Sequence, residues 1–440
     1  MRQEIEEYVR SLGLDAYLVG GAVRDELLGL ESKDADFLVP GVDTAQLREA
    51  LAPHGRVEDL VVAGRLVGVR LLPGDKRIRE LTRVGIEFAP PRAERSTGPG
   101  RHDFEIVADP AISVEDDMRR RDFTVNAMAR RLETGELVDP LDGRADLEQR
   151  RLRTVSPQSF REDPLRLIRA LRFVSQLGFE PDETLLAQMR EEAKSVEFVS
   201  GERIGGGLAA DGMGELSKLL LGREPARALR IARDTGVLAE LGPEFGRLEE
   251  TASDHIFAVV QETADAGDDL AVRLAALFHD VGKPIDPDPL GHAKVGAEIA
   301  HKTLLRLRYP TRLSRRVVAI VREHPFRSED LPREPREVRR FLAAHGDELA
   351  FDLVAHRRAD ARAKDRDAAP VEELRAALER ERVNPHRLSD LAIGGDDLIA
   401  AGFSPGPALG RALEQLLAVV VDEPELNIRE ELLARAKELL

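Results

Sequence analysis

Residues up to about 140 and residues after about 145 follow different periodicities, which confines the chain to an α/β head followed by a helical body. Short apolar or alternating runs closed by Gly, Pro or Asp predict strands at 16–21, 35–41, 65–74, 84–90 and 102–109, with helical spacing between them at 2–12, 22–30 and 44–52. PRAERSTGPGR (91–101) reads as a mobile Gly/Pro-rich loop. Later, apolar residues recur with helical spacing at 164–178, 182–196, 225–241, 270–282, 295–308, 313–324 and 431–440. The segment 200–216 holds six glycines, too many for a helix interior. No internal repeat is visible. A chain of 440 residues holds about three domains at roughly 150 residues each.

Composition narrows the chemistry. With 42% hydrophobic and 33% charged residues the chain reads as soluble and globular. No run approaches the ~18 apolar residues of a membrane span. The start, MRQEIEEYVR, has acids where an export signal needs a basic and then an apolar stretch, so a cytoplasmic protein is expected. The absence of cysteine excludes disulfides, Cys-ligated zinc, iron–sulfur clusters and thiol catalysis, leaving carboxylates and histidines for any metal. A net charge of −16 argues against wholesale coating of nucleic acid. Arginines nevertheless cluster at 119–121, 150–153 and 161–172, as a basic groove or as solvated faces interspersed with acids.

GGAVRD (20–25) follows an apolar run and opens a helical pattern. Gly20 and Gly21 therefore occupy a strand-to-helix turn, either a plain tight turn or one that admits a phosphate to backbone N–H groups, with Arg24 as a further donor. Asp34 and Asp36, in KDADFLVPG, share one face of a strand start by the period of two. They are solvated turn acids or oxygen ligands for Mg²⁺ in nucleotidyl transfer. Glu87, in VGIEFAP, is a candidate third carboxylate or an outward strand acid. In RRRDFTVNAMA the run from Asp122 reads as helical, with Asp122 as its N-cap and Arg121 aimed at phosphates or engaged in an exposed ion-pair cluster.

In REDPLRLIRALRF (161–173), Asp163, Arg166, Arg169 and Arg172 recur every three residues, opposite Leu165, Ile168 and Leu171. Either Asp163 caps a helix that begins at Pro164 and the arginines form a solvated ladder, or a rigidly spaced carboxylate and guanidinium hydrogen-bond the edge of a base.

In this order and at these separations GGAVRDELLG, KDAD, RRRDFTVNAMA and EDPLRLIRALRF resemble the class II tRNA nucleotidyltransferases and bacterial poly(A) polymerases of the polymerase-β-like superfamily. IEFAPPRAERSTG (86–98) resembles the CCA-adding branch. The resemblance implies that Asp34 and Asp36 bind catalytic Mg²⁺ and that Gly21, Arg24 and Arg121 hold the phosphates and sugar of CTP and ATP. It also implies that Asp163 and Arg166 read the incoming base without a template, supported by Arg169 and Arg172, while the helices beyond grip the tRNA acceptor arm.

LFHDVGKP (277–284) ends an apolar helical run with His279 and Asp280 adjacent; His255 precedes it, and His292, His324 and Asp360 follow. Histidines and acids from separate helices can converge on a divalent metal, or serve singly as structural residues. HD followed by GK, with flanking histidines, resembles the metal-dependent HD phosphohydrolases fused to some CCA-adding enzymes. Imidazole ligands favour Ni²⁺, Co²⁺ or Mn²⁺ over Mg²⁺.

The expected fold is therefore α+β: a polymerase-β-like head over 1–145, an all-α neck and body over 146–250, an HD domain over 251–365 and a helical tail over 366–440. The expected function is CCA addition to tRNA with an HD hydrolase activity. Poly(A) polymerases and CC- or A-adding enzymes share the motifs, although the acidic chain lacks basic extensions. Protein-uridylylating or nucleotide-sensing regulators also combine the two modules but lack EDxxRxxR, and intact Asp34 and Asp36 speak against a silent RNA-binding protein. The sequence leaves the oligomeric state open.

Overall fold

A computed structural model describes residues 2–31, 36–62, 65–96, 104–108, 110–206, 212–326 and 330–439. The chain divides into two compact units, Met1–Val199 with Ala232–Leu241, and Ser200–Ile231 with Gly242–Leu440.

The first unit is built on a sheet of order β3-β4-β5-β2-β1-β8-β9. Its strands are β1 (Tyr17–Val19), β2 (Asp36–Leu38), β3 (Gly55–Val62), β4 (Arg65–Pro73), β5 (Ile86–Ala89), β8 (Ala129–Arg131) and β9 (Leu137–Val138). Only the β2–β5 pair is parallel; the other pairs are antiparallel. Phe37 and Phe88 stack at 5.6 Å between ring centroids on one face of β2 and β5. The period of two therefore turns Asp36 and Glu87, which are register partners, to the opposite face. Leu47, Leu51, Val69, Leu71, Ile86 and Phe88 are fully buried in this unit.

Helices α1 (Arg2–Ser11), α2 (Gly21–Leu27), α3 (Thr44–Leu51) and α4 (Lys76–Leu81) alternate with these strands. The predicted loop at 91–101 is a strand at its start: β6 (Arg92–Ser96) pairs antiparallel with β7 (Phe104–Ala108), and residues 97–103 lie outside the described residues. The ladder satisfies backbone groups that a loop would leave to water.

A second correction concerns DFTVNAMA. After α5 (Val114–Arg119) the chain forms a 3₁₀ turn at Thr124–Asn126 and then enters β8, so Asp122 caps no α-helix. Pairing of Ala129 with Val19 fixes this course, and Phe123, Val125, Ala127 and Met128 are all fully buried along it. Burial of both faces overrides the apparent helical spacing.

Then come α6 (Gly143–Glu148), α7 (Ser159–Glu162), α8 (Leu165–Leu177) and α9 (Glu183–Glu192). A two-stranded parallel pair, β10 (Arg151–Leu152) with β11 (Glu180–Pro181), interrupts the all-α body that the helical spacing predicts. The α8 helix ends at Gly178 in the left-handed conformation.

Short helices α10 (Gly201–Ile204), α11 (Glu215–Leu220), α12 (Pro225–Asp234) and α13 (Val237–Leu241) follow; Gly236, at φ 81, splits the run predicted over 225–241. The second unit continues with α14 (Glu250–Asp265), α15 (Leu270–Phe278), α16 (Pro289–Arg306), α17 (Thr311–Glu323) and α18 (Pro335–Ala363), the last kinked at Gly346. Its end comprises α19 (Ala369–Glu381), α20 (Gly395–Ala400), α21 (Pro407–Asp422) and α22 (Arg429–Glu438). Leu398, Leu416, Val420, Leu432 and Ala436 form the core of the last three. The α18 helix is tied to the carboxyl end of α21, where Arg339 donates to the carbonyls of Val421 and Asp422.

Candidate functional site

In the first unit, β1 runs into Gly20 at φ 66, a conformation that L side chains avoid. A Cβ built there would lie 2.6 Å from a guanidinium nitrogen of Arg121, so glycine also makes room for that arginine. Arg121 and Arg120 both donate to the fully buried Asp117. Burial alone would raise the Asp117 carboxyl, but the two guanidinium groups outweigh it and hold it below its ordinary range.

Arg24 donates through Nε and Nη2 to Asp25 Oδ1, at 2.8 and 2.6 Å, and through Nη1 to Asn126 Oδ1 at 2.7 Å. Asn126 Nδ2 in turn donates to Asp122 Oδ1 at 3.0 Å, and Arg169 donates twice to Asp122 Oδ2, at 2.9 and 2.7 Å. Asp122 thus joins the α2 arginine to the α8 arginine through Asn126. Burial would push its carboxyl up, yet Arg169 and the donors from Asn126 and Phe123 hold it far below the usual range. Beneath these arginines lies Phe173. The guanidinium carbons of Arg24, Arg169 and Arg172 are 5.1, 5.8 and 4.6 Å from its centroid, within cation–π range.

The arginines of α8 do not form a solvated ladder. Arg166 is buried, with Nη1 on Ser159 and Glu162 and Nη2 on the carbonyl of Arg120. It fastens α7 and α8 to the segment that carries Arg121. Asp163 is half-buried ahead of the helix, and its Oδ1 accepts from the Leu165 N–H at 3.1 Å.

Asp36 is exposed at the start of β2, level with Glu87 on the adjoining strand, and Glu87 accepts from Arg70 Nη2 at 2.6 Å. Asp34 lies outside the described residues. Two carboxylates on one face of neighbouring strands suit a hard, oxygen-loving cation. Sequence reasoning missed Asp117, Asn126 and Phe173. Asp117 and Asn126 act by pairing with residues that only the fold brings close, and Phe173 reads as an ordinary core aromatic.

The second unit gathers the other candidates. His255 comes from α14, His279 and Asp280 from the end of α15, His292 from α16, His324 from the end of α17, and Asp360 from the far half of α18. His279 Nε2 is 3.3 Å and His255 Nε2 3.8 Å from Asp280 Oδ2. His292 Nε2 and His324 Nε2 are 3.4 and 3.8 Å from Asp280 Oδ1. Asp360 meets His255 Nε2 at 3.1 Å and also accepts from Arg357 and Lys364.

The approach of α16 depends on Gly282, where a Cβ would stand 2.2 Å from the carbonyl oxygen of His292. Burial pushes His324 down to about 3 and the fully buried His356 well below its ordinary value, so both rings are neutral. His279 is drawn upward, because Asp280 beside it outweighs the burial. Imidazoles around a buried carboxylate, with His279 Nε2 lacking a hydrogen-bond partner, fit a transition-metal ion. His356 and Lys283 were not foreseen. Lys283 Nζ reaches Asp280 Oδ2 at 2.5 Å and follows from the GK after HD, whereas nothing near His356 in sequence marks it.

Known proteins match these parts in the same order. The poly A polymerase head domain matches residues 16–153, the probable RNA and SrmB-binding site of polymerase A residues 178–248, and the HD domain residues 252–364. The chain is 34% identical over 429 residues to the multifunctional CCA protein of Thioalkalivibrio sulfidiphilus, covering 91% of this chain and 96% of that one. With the multifunctional CCA protein of Alkalilimnicola ehrlichii it shares 36% identity over 318 residues, 68% of this chain and 70% of that one. Among solved structures, the Bacillus stearothermophilus CCA-adding enzyme in complex with CTP superposes with a TM-score of 0.72 at 26% identity, covering 99% of this chain and 95% of that one. The Thermotoga maritima CCA-adding enzyme complexed with tRNA shares the fold, with a TM-score of 0.58 at 21% identity over 97% of this chain and 92% of that one. Motif order, fold and near-full-length identity agree, and the chain belongs to the family of multifunctional CCA proteins.

Proposed function

We propose that this chain adds CCA to the 3′ end of cytoplasmic tRNA from CTP and ATP, without a nucleic-acid template. The observation that carries this reading is the side-by-side register of Asp36 and Glu87 next to the strand that delivers Gly20, Gly21 and Arg24. Asp34 and Asp36 are the residues that would hold Mg²⁺, which when bound lowers the pKa of the attacking hydroxyl and steadies the triphosphate. Gly21, Arg24 and Arg121 face the nucleotide's phosphates and sugar. Asp163 and Arg166 select the base, and Arg169 and Arg172 support the nucleotide from α8. The network from Arg24 through Asn126 and Asp122 to Arg169 ties together α2 and α8, the two helices that carry these arginines. Selection of C and then A falls to protein donors and acceptors, which discriminate bases through paired hydrogen bonds. The helices beyond 178 grip the acceptor arm.

The HD cluster is a second catalyst, a metal-dependent phosphohydrolase. His255, His279, Asp280, His292, His324 and Asp360 would hold Ni²⁺, Co²⁺ or Mn²⁺, which supplies a hydroxide near neutral pH. Its substrate class is a 2′,3′-cyclic phosphate or related ester, the form taken by damaged RNA ends.

The test of the first activity is incubation with tRNA transcripts lacking A, CA or CCA, with CTP and ATP separately and together, followed by sequencing of the ends. Completion to CCA and no further is expected. Homopolymeric A tails would instead make the chain a poly(A) polymerase, and extension that stops at CC, or that adds only A, would make it a partial enzyme.

A further inference from the structure

We propose that a cavity of the helical unit, beside the HD cluster, holds the base of a nucleoside 2′,3′-cyclic phosphate, an inference that rests on the hydrolase reading above and names what its site recognises besides the phosphate. The cavity has a volume of about 220 Å³ and is lined by Leu290, Arg322, Phe326, Phe341, His345 and Leu353, with the carboxylates of Glu323 and Asp330 among its walls. Pockets that enclose drug-sized ligands run to ~300–1,000 Å³, so this one suits a single ring system rather than a whole nucleotide. Its walls come from the segments that carry the cluster. Leu290 precedes His292 by two residues on α16, Arg322 and Phe326 flank His324 around the end of α17, and Leu353 stands one turn before His356 on α18. Cα atoms one or two residues apart are about 4–7 Å from each other, a gap that a ribose spans. A base in the cavity therefore puts its sugar phosphate within reach of the His292 and His324 side of the cluster. Hydrolysis there opens the cyclic ester: the water oxygen bonds to phosphorus, one ribose oxygen leaves and takes the proton, and a nucleoside monophosphate remains.

Three rings of this cavity suit a base. Phe341 lies 6.2 Å from Phe326 and 4.5 Å from His345 between centroids, at interplanar angles of 64° and 55°. Burial holds His345 below its ordinary value, which leaves the ring neutral and able to stack. Both phenylalanines pack on their other side against the core of Leu331, Val338 and Leu342, so they are ordered before a base arrives. The charged walls add selection. Among the described residues the side chains of Arg322, Glu323 and Asp330 make no hydrogen bond or ion pair, so all three are available to a ligand. Arg322 offers a cation to the face of a base or to a phosphate oxygen. The carboxylates of Glu323 and Asp330 only accept, and they match bases that donate. Adenine and cytosine, the bases of a CCA end, carry an exocyclic amine for them; uracil carries none.

The full-length protein loaded with Mn²⁺ is assayed on 2′,3′-cAMP, 2′,3′-cCMP, 2′,3′-cUMP and the base-less methyl riboside 2′,3′-cyclic phosphate. The kcat/KM for the A and C compounds should exceed that for the U compound about tenfold, and that for the methyl riboside by more. His345→Ala should lower the preference for 2′,3′-cAMP over the methyl riboside about tenfold, and His345→Phe, which keeps a ring to stack, should preserve it. Glu323→Ala combined with Asp330→Ala should bring the U compound level with the A compound. Photolabelling with 8-azidoadenosine 2′,3′-cyclic phosphate, run also on chelator-treated protein, should mark the tryptic peptides that contain Phe326 or span Phe341 and His345. A lower KM for a trinucleotide ending in the same cyclic phosphate assigns the cavity to RNA ends, and an equal KM assigns it to free cyclic nucleotides. Equal kcat/KM for all four compounds, or labelling confined to other peptides, overturns the base cavity and leaves the hydrolase reading standing. No hydrolysis with Mn²⁺, Co²⁺ or Ni²⁺ overturns the hydrolase reading, and the photolabelling then decides the cavity by itself.

Discussion

Arg166 has one role that the structure shows and one that is proposed above, and a substitution separates them. Its guanidinium fastens Ser159, Glu162 and the Arg120 carbonyl together, and it is assigned to base selection with Asp163. Arg166→Ala should therefore change the preference among CTP, ATP, GTP and UTP more than it raises the KM for any of them. Arg121→Ala should raise KM for CTP and ATP about equally, because phosphate and sugar contacts carry no base information. Unaltered preference in the Arg166 variant, with only a lower melting temperature, would reduce that residue to a tie between α7, α8 and the Arg120 segment. Asp122 offers a stability test. Asp122→Asn keeps the shape but removes the charge facing Arg169, and should cost about 2 kcal/mol, the scale of a charged hydrogen bond. Because the native carboxyl is depressed, this contribution is complete above about pH 4, the ordinary carboxylate value. It is lost as pH falls toward the depressed native value. Urea unfolding of both proteins should thus show curves well separated at pH 7 and converging in acid.

At the level of elements, the HD cluster depends on how closely α16 approaches the end of α15. Gly282 sets that distance, since any Cβ there meets the His292 carbonyl and the N–H of Gly296. Gly282→Ala should destabilise the helical unit by about 1–3 kcal/mol, as overpacking does elsewhere. It should also weaken metal binding through the displacement of His292. Thermal unfolding and a metal titration check both, and an unchanged metal affinity would show that His292 is positioned independently of the turn. In the head the equivalent close approach is Arg121 over Gly20, where the strand-to-helix turn and the arginine occupy space that no side chain can share.

The two candidate sites lie in two compact units, so the activities proposed for them should separate genetically. Asp36→Ala should abolish CMP and AMP incorporation alike while retaining hydrolysis of 2′,3′-cyclic nucleotides. Asp280→Ala should do the reverse, with each loss exceeding 100-fold, as expected when several kcal/mol of metal-dependent stabilisation disappear. Paired assays of tRNA extension and cyclic-phosphate hydrolysis read both outcomes. Loss of both activities in either variant would mean that the two sites act as one.

Much of this was legible in the sequence because the signals are local. The turn at Gly20 and Gly21, the strand that opens at Asp36, and the helix after Pro164 follow from short-range sterics and periodicity, and the alternation in VGIEFAP placed Glu87 on a strand. The HD dipeptide at the end of an apolar helix marked a candidate metal cluster in the same way. Pairings between distant segments lay beyond such reading. Asp122 looked like a helix cap until β8 was drawn into the sheet beside β1, and the register of Asp36 with Glu87 exists only because β2 and β5 run parallel. His356 joins the cluster because helix packing brings it against His279 and His324. The sequence by itself determined which residues could do chemistry, since side-chain type and spacing are local properties. Only the tertiary structure decided which of them meet, because hydrogen bonds, ion pairs and metal ligation act over a few ångströms between parts of the chain that lie far apart in sequence.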